Sequence, residues 1–249
     1  MKILVINGSP KGDRSNTLNV TRSFLAGVER ALSEKGQEDI TIDITNIYEK
    51  NIFPCRGCFA CWNFPEGGCI IKDDYCDIRD RLIEADMVIA SFPLYFFGMP
   101  SGMKAFTDRT VSLMKPYSGS SVRSDVGKSY HKFKYDFSKK QFVIISTCGY
   151  ADSSDVYTSL RAELDLIFGF KNYFPIFCPQ GELFGFEQLK KHTDRYLASV
   201  QDAGYEFATS GEVSEKTKNK TERPIIPQNA FEMICNARWG SAEKVSNEQ

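Results

Sequence analysis

The sequence predicts an α/β fold, a doubly wound five-stranded parallel sheet with helices on both faces. Three observations lead there. Short apolar or β-branched runs recur at Lys2–Asn7, Ile40–Ile44, Met87–Phe92, Gln141–Thr147 and Tyr173–Cys178. Stretches with helical periodicity separate them, and most of the runs are apolar on both faces, as buried parallel strands are. Right-handed crossovers then leave few topologies, of which the doubly wound sheet is the simplest.

Each element has a local reason. Lys2–Asn7 ends at Gly8-Ser9-Pro10, which stops a strand and starts a loop. From Asn16, Leu18, Phe24, Leu25, Val28 and Leu32 recur on one helical face, and Gly36 offers a C-cap. Ile40–Ile44 alternates as a second strand. Residues 51–75 are irregular and rich in Cys, Gly and Pro, an insertion in the fold. Cys76–Glu84 reads as a short helix and Met87–Phe92 as a third strand stopped by Pro93. Met103, Phe106, Val111 and Met114 give Ser101–Met114 a helical period. Residues 115–140 form a polar insertion without a period. Gln141–Thr147 is the fourth strand, Ser154–Phe168 a helix, Tyr173–Cys178 a weaker fifth strand and Phe186–Thr209 a long amphipathic helix. One domain, 1–209, is therefore expected. Ser210–Arg223 is charged and nearly devoid of apolar residues, which reads as a linker. Ile225, Ile226, Phe231, Ile234 and Trp239 make the rest of 210–249 an apolar tail that needs the body or a partner subunit to cover it.

Charge and composition exclude several classes. Thirty-one Lys+Arg against thirty-two Asp+Glu leave a net charge of −1, with no basic excess for nucleic acid. The longest uncharged stretch, Met87–Met103, is interrupted by Pro93, Gly98, Pro100 and Gly102, so no membrane span is expected. Met1-Lys2 is followed by only four apolar residues before Asn7-Gly8, too few for a secretion signal, so a cytoplasmic location is expected. With only His131 and His192, His-based zinc hydrolase patterns are excluded, and there is no G-x-S-x-G elbow.

Ligands of open parallel sheets bind beyond the carboxyl ends of the strands, where strand order reverses. The loop Gly8–Thr17 lies at such an end and carries the hydroxyls of Ser9, Ser15 and Thr17 beside Asn16, with Lys11 and Arg14 as cations. Small residues let backbone N–H groups approach a phosphate, and the following helix N-terminus favours an anion. Neither G-x-G-x-x-G nor a Walker loop is present, which leaves a monophosphate site built from hydroxyls and amides. The same residues also suit a capped turn that binds nothing, since Ser15 is a good N-cap alone.

The run Gly8-Ser-Pro-x-x-x-x-Ser-Asn-Thr17 resembles the NADPH-dependent FMN reductase branch of the flavodoxin-like family. Ala85-Asp86-x-Val-Ile89 leading into Pro93-Leu-Tyr-Phe96, then Lys104-Ala-Phe-Thr-Asp-Arg109, continue the likeness, which covers about residues 1–200. It implies that Ser9, Lys11, Ser15, Asn16 and Thr17 hold the FMN phosphate. Pro93, Leu94, Tyr95 and Phe96 would border the isoalloxazine, and Thr147, Cys148 and Gly149 would form its other wall. Family members often carry Arg where this chain has Lys11. The bland alternative for Tyr95, Phe96 and Phe97 is plain core.

Five of the eight cysteines lie between Cys55 and Cys76. Cys55, Cys58 and Cys61 are separated by two-residue gaps and Cys69 follows after seven residues, with Gly57, Gly67 and Gly68 between. Such spacing turns the chain around a metal centre, and the bacterial ferredoxin run begins the same way. The motif resembles that of the iron–sulfur flavoproteins, which implies a [4Fe–4S] cluster on Cys55, Cys58, Cys61 and Cys69, with Cys76 as an alternative fourth ligand. Structural zinc on the same thiolates, or free and reversibly oxidised thiols, are the competing readings.

The resemblance implies an FMN-dependent NAD(P)H oxidoreductase of the FMN or quinone reductase type. Its cluster would pass electrons to FMN, and a small molecule or a protein would accept them. With no separate dinucleotide fingerprint, NAD(P)H would stack directly on the flavin. The rival is an electron carrier to ferredoxin-like partners without NAD(P)H turnover. The apolar tail and the resemblance together imply a homo-oligomer, a dimer or tetramer.

Overall fold

The computed structural model describes residues 1–116, 122–123, 128–129, 131–169 and 172–246. Five strands, β1 (Lys2–Asn7), β2 (Thr41–Asn46), β3 (Met87–Pro93), β4 (Gln141–Thr147) and β5 (Phe174–Cys178), form one parallel sheet in the order β2-β1-β3-β4-β5. Two cores follow from strand alternation. Leu4 and Ile6 of β1 face α2 (Tyr75–Glu84), α3 (Ser101–Arg109) and α4 (Thr158–Phe168) through Ile78, Phe106 and Leu164. Ile3 and Val5 face α1 (Asn16–Glu34) and α5 (Lys190–Ser210) through Phe24, Val28 and Val200. Helices α1 and α5 cross closely because two glycines leave room. A Cβ on Gly27 would sit 1.9 Å from the Gln201 carbonyl oxygen, and one on Gly204 would sit 2.0 Å from that of Phe24.

Element boundaries differ from periodicity where turns intervene. Helix α3 ends at Arg109 and tightens into a 3₁₀ turn, Thr110–Leu113. Helix α4 starts at Thr158, because Asp152 caps a preceding turn by accepting from the Ser154 amide at 2.7 Å. Helix α5 starts at Lys190 after two short 3₁₀ turns. Of the expected polar insertion 115–140, residues 117–121, 124–127 and 130 lie outside the described residues. At its far end Phe133, Tyr135 and Phe137 pack on the α2–α3–α4 core.

The charged stretch read as a linker contains a helix, α6 (Glu215–Glu222), capped by Ser214, whose side chain accepts from the Thr217 amide. Threonines replace the apolar face that composition lacked. Thr217 donates to Glu206 at 2.6 Å, and the Thr221 carbonyl accepts from Tyr196 at 2.8 Å. Beyond it Ile226, and Phe231 near the start of α7 (Gln228–Ser246), are buried against Leu183.

Candidate functional site

The chain winds from β1 outward to β2 and then crosses back to β3, so strand order reverses between β1 and β3. The crevice at this switch point is built from the loops that leave β1, β3, β4 and β5.

Fully buried Asn7 anchors the first loop. Its Nδ2 donates to Asn46 Oδ1 at 2.7 Å and to the Gly12 carbonyl at 3.1 Å, while its Oδ1 accepts from the Ser9 amide. Gly12 takes φ +53°, which closes the turn before Ser15. Gly8 runs so close to α3 that a Cβ there would lie 2.9 Å from Met103 Cβ. Ser15 then caps α1, its Oγ accepting from the Leu18 amide at 3.2 Å. Ser9 Oγ likewise accepts from the Lys11 amide at 3.3 Å. Each serine spends its oxygen on the backbone and keeps its own O–H proton to donate. The first-turn amides of Asn16 and Thr17 have no acceptor within the helix, a consequence of helix geometry.

Two contacts tie this loop to the opposite wall. Thr17 Oγ1 and Thr147 Oγ1 share a hydrogen bond of 2.6 Å, and Asn16 Nδ2 donates to the Gly181 carbonyl at 2.7 Å. Ser9, Lys11, Ser15, Asn16, Thr17, Pro93, Leu94, Tyr95, Thr147, Cys148 and Gly149 all line one crevice of about 170 Å³. Every sequence-predicted residue of this group except Phe96 is therefore brought together. Tyr95 and Gly98 exchange backbone hydrogen bonds of 3.0 Å, leaving Phe96 and Phe97 at the tip of a two-residue turn with φ +47° and +65°. That turn throws the Phe96 ring outward, 97% exposed, so it is not core, and it is not among the residues that line the crevice. Phe97 stacks on Tyr150 instead, ring centres 5.7 Å apart.

Sequence reasoning missed Gly181 and Glu182, which close the crevice from the end of β5. Glu182 Oε2 is buried without a hydrogen-bond partner among the described residues. The available signal was positional, since this loop follows a strand end beside the switch point. Cys148 is buried, and burial pushes its thiol pKa up, so at neutral pH it presents a protonated wall rather than a nucleophile.

A second cavity, about 220 Å³, is lined by Cys55, Cys58, Cys61 and Cys69 together with Asp108, Arg109, Val111 and Ser112. Cys76 is not among its lining residues; its thiol lies on the first turn of α2, 3.9 Å from the Ile71 carbonyl. The floor is a buried ion pair of Arg109 with Asp73, whose side chains are 1% and 0% exposed. Asp73 also accepts from the Phe53 amide at 2.8 Å and the Tyr75 amide at 3.2 Å, pinning both ends of the insertion. Lys134, near the far end of the polar insertion, donates to the Cys61 and Phe64 carbonyls at 2.9 and 2.6 Å. Burial pushes the Cys61 thiol pKa up, while the Lys134 ammonium pulls against that. Among the described residues, no three His, Cys, Asp or Glu side chains are drawn together as ligands of one ion. Nor is any helix long and apolar enough to cross a membrane.

Comparison with known proteins bears on both cavities. An iron–sulfur flavoprotein of Methanocaldococcus jannaschii is 33% identical over 127 residues, 51% of this chain and 59% of that protein. The match thus spans little more than half of that relative's length. An uncharacterized NAD(P)H oxidoreductase of Haemophilus influenzae is 26% identical over 172 residues, 67% of this chain and 79% of the relative. Among solved structures, the FMN-dependent NADH-azoreductase of Bacillus anthracis in complex with FMN superposes with a TM-score of 0.57. It covers 84% of this chain and all of the other at 18% identity, a likeness of fold. The reversing parallel sheet agrees with the family model for the flavodoxin-like fold, which matches residues 1–178, and the chain belongs to that family.

Proposed function

We propose that the protein is an FMN-dependent oxidoreductase that takes reducing equivalents from NAD(P)H and delivers them to a quinone, a free flavin or a protein acceptor. One observation carries this reading: loops from four strand ends converge on a single crevice whose inner end offers hydroxyls and helix N-terminal amides. The donor set fits a phosphate monoester. Ser9 and Ser15 each retain a hydroxyl proton, the Asn16 and Thr17 amides face no helix acceptor, and Lys11 adds a cation. FMN, when bound, supplies the hydride- and electron-accepting chemistry. The chain's own part is to bind and orient it. Pro93, Leu94 and Tyr95 would border the ring system on one side, and Thr147, Cys148 and Gly149 on the other. The protonated Cys148 adds bulk and excludes water without adding charge. No other loop carries a dinucleotide fingerprint, so the nicotinamide approaches the crevice mouth directly. The likeness to the NAD(P)H oxidoreductase of Haemophilus influenzae supports the NAD(P)H part of the reading.

The cysteine cavity is proposed to hold a [4Fe–4S] cluster on Cys55, Cys58, Cys61 and Cys69. Four cysteines lining one cavity fit such a group. A single zinc ion at about 2.3 Å from each sulfur would need the thiols much more tightly gathered. A cluster, when bound, supplies one-electron transfer. The iron–sulfur relative also favours a second reading, an electron carrier that serves ferredoxin-like proteins without NAD(P)H turnover. The exposed Phe53, Phe59 and Phe96 suit burial between subunits of a homo-oligomer, dimer or tetramer, and the free thiols suit a reducing cytoplasm.

Anaerobic purification followed by FMN titration, iron and sulfide analysis and steady-state NADH and NADPH oxidation tests these readings together. Failure to bind FMN overturns the flavin reading, and iron-free protein overturns the cluster. Bound FMN without turnover on either nucleotide leaves the carrier.

A further inference from the structure

The thiol cavity is flanked by cations from outside the cysteine motif. Arg109 lies beneath it, and its side chain is almost wholly buried. Its Nη1 is taken by Asp73 and the Phe53 carbonyl and its Nη2 by the Ile71 carbonyl, yet Nε is buried with no hydrogen-bond partner among the described residues. Arg109 and Cys69 line the same cavity. On another side Lys134, held by the Cys61 and Phe64 carbonyls, is in electrostatic contact with Cys61. The carboxylate at the rim, Asp108, is engaged by Lys104, and Arg56 adds a further positive charge there.

Four thiolates around a [4Fe–4S] core make a dianion, and adding one electron makes it a trianion, with no bond broken and no proton required. The reduced form gains most from nearby positive charge, and net charge with hydrogen bonds to sulfur sets such potentials. We propose that Arg109 and Lys134 form a cationic clamp that raises the reduction potential of an iron–sulfur group held in this cavity. Arg109, its charge already paired with Asp73, acts as a positioning residue through its Nε donor beside Cys69, and Lys134 acts through its charge beside Cys61. The inference rests on the iron–sulfur reading of the cavity given above.

The test is a redox titration of the cluster by electron paramagnetic resonance, on anaerobically purified full-length protein, with iron and sulfide counted in each sample. Lys134→Gln is expected to keep the cluster while making its reduction at least tenfold less favourable, 59 mV more negative for one electron. Lys134→Arg is expected to restore the wild-type value, which a merely structural role would not predict. Arg109→Lys keeps the charge but loses the Nε donor, and is expected to shift the potential in the same direction by a smaller amount. Should Arg109→Lys fail to fold, Lys134→Gln and Lys134→Arg decide alone. Unchanged potentials in Lys134→Gln at full iron content overturn the clamp and leave the cluster standing. Wild-type protein that carries no iron after anaerobic purification overturns the cluster and the clamp with it.

Discussion

Replacing Asp73 tests how the cysteine insertion is held. Its carboxylate is fully buried, pairs with a guanidinium that is almost as buried, and accepts the amides of Phe53 and Tyr75. Asp73→Asn keeps the shape and one acceptor oxygen but leaves the Arg109 charge uncompensated in the interior. Breaking such a pair from one side costs about 3–5 kcal/mol. Arg109 keeps its two carbonyl partners, Phe53 and Ile71, so the lower end, about 3 kcal/mol, is expected. For a chain of this size that lowers the melting temperature by roughly 6–12 °C. Asp73→Ala also strands two backbone amides, each worth about 1–3 kcal/mol, and should be worse. Urea denaturation of the three proteins measures the differences. A double variant, Asp73→Ala with Arg109→Met, removes both charges and should lose less than the two single losses added together. If Asp73→Asn lies within about 1 kcal/mol of wild type, the pair is not closed off from water and the reasoning is wrong.

Other expectations follow from the crevice, the helix crossing and the buried acids. Ser9→Ala and Ser15→Ala should each weaken FMN binding by about 1–3 kcal/mol, through a phosphate oxygen left unpaired. Flavin fluorescence titration reads this, and unchanged affinity in both would remove the loop from the site. Gly204→Ala should destabilise strongly, by more than about 2 kcal/mol, because the new Cβ meets the Phe24 carbonyl oxygen at 2.0 Å and the helices must part. A thermal melt near wild type would show that the crossing yields. Burial raises the pKa values of Cys148, Cys178, Tyr157 and Tyr196, so the folded state holds their protons more tightly than the unfolded chain. The unfolded chain therefore ionises first, and stability should fall as pH rises through the ordinary thiol and phenol range. Melting temperatures measured from pH 7 to 10.5 should decline steadily, and a flat profile would contradict the burial of these groups.

Much of this molecule was legible in one dimension because its signals are local. Five apolar strand runs separated by helical periods are enough to imply the parallel sheet. A hydroxyl-rich loop between the first strand and first helix marks its switch point, and closely spaced cysteines mark the second cavity. What periodicity missed was set by partners far away along the chain. Helix α6 forms in a segment without apolar residues because Ser214 caps it and Glu206, on α5, receives Thr217. Phe96 leaves the crevice because the Tyr95–Gly98 bridge forces a left-handed turn, which no count of aromatic residues reveals. Glu182 enters the crevice from the loop after β5, and Lys134 and Arg109 reach the cysteine insertion from separate segments. Such encounters depend on burial and on charges meeting in space, so the amino-acid order alone determined the scaffold and the chemical types, while the tertiary structure decided which charges stand beside which thiols.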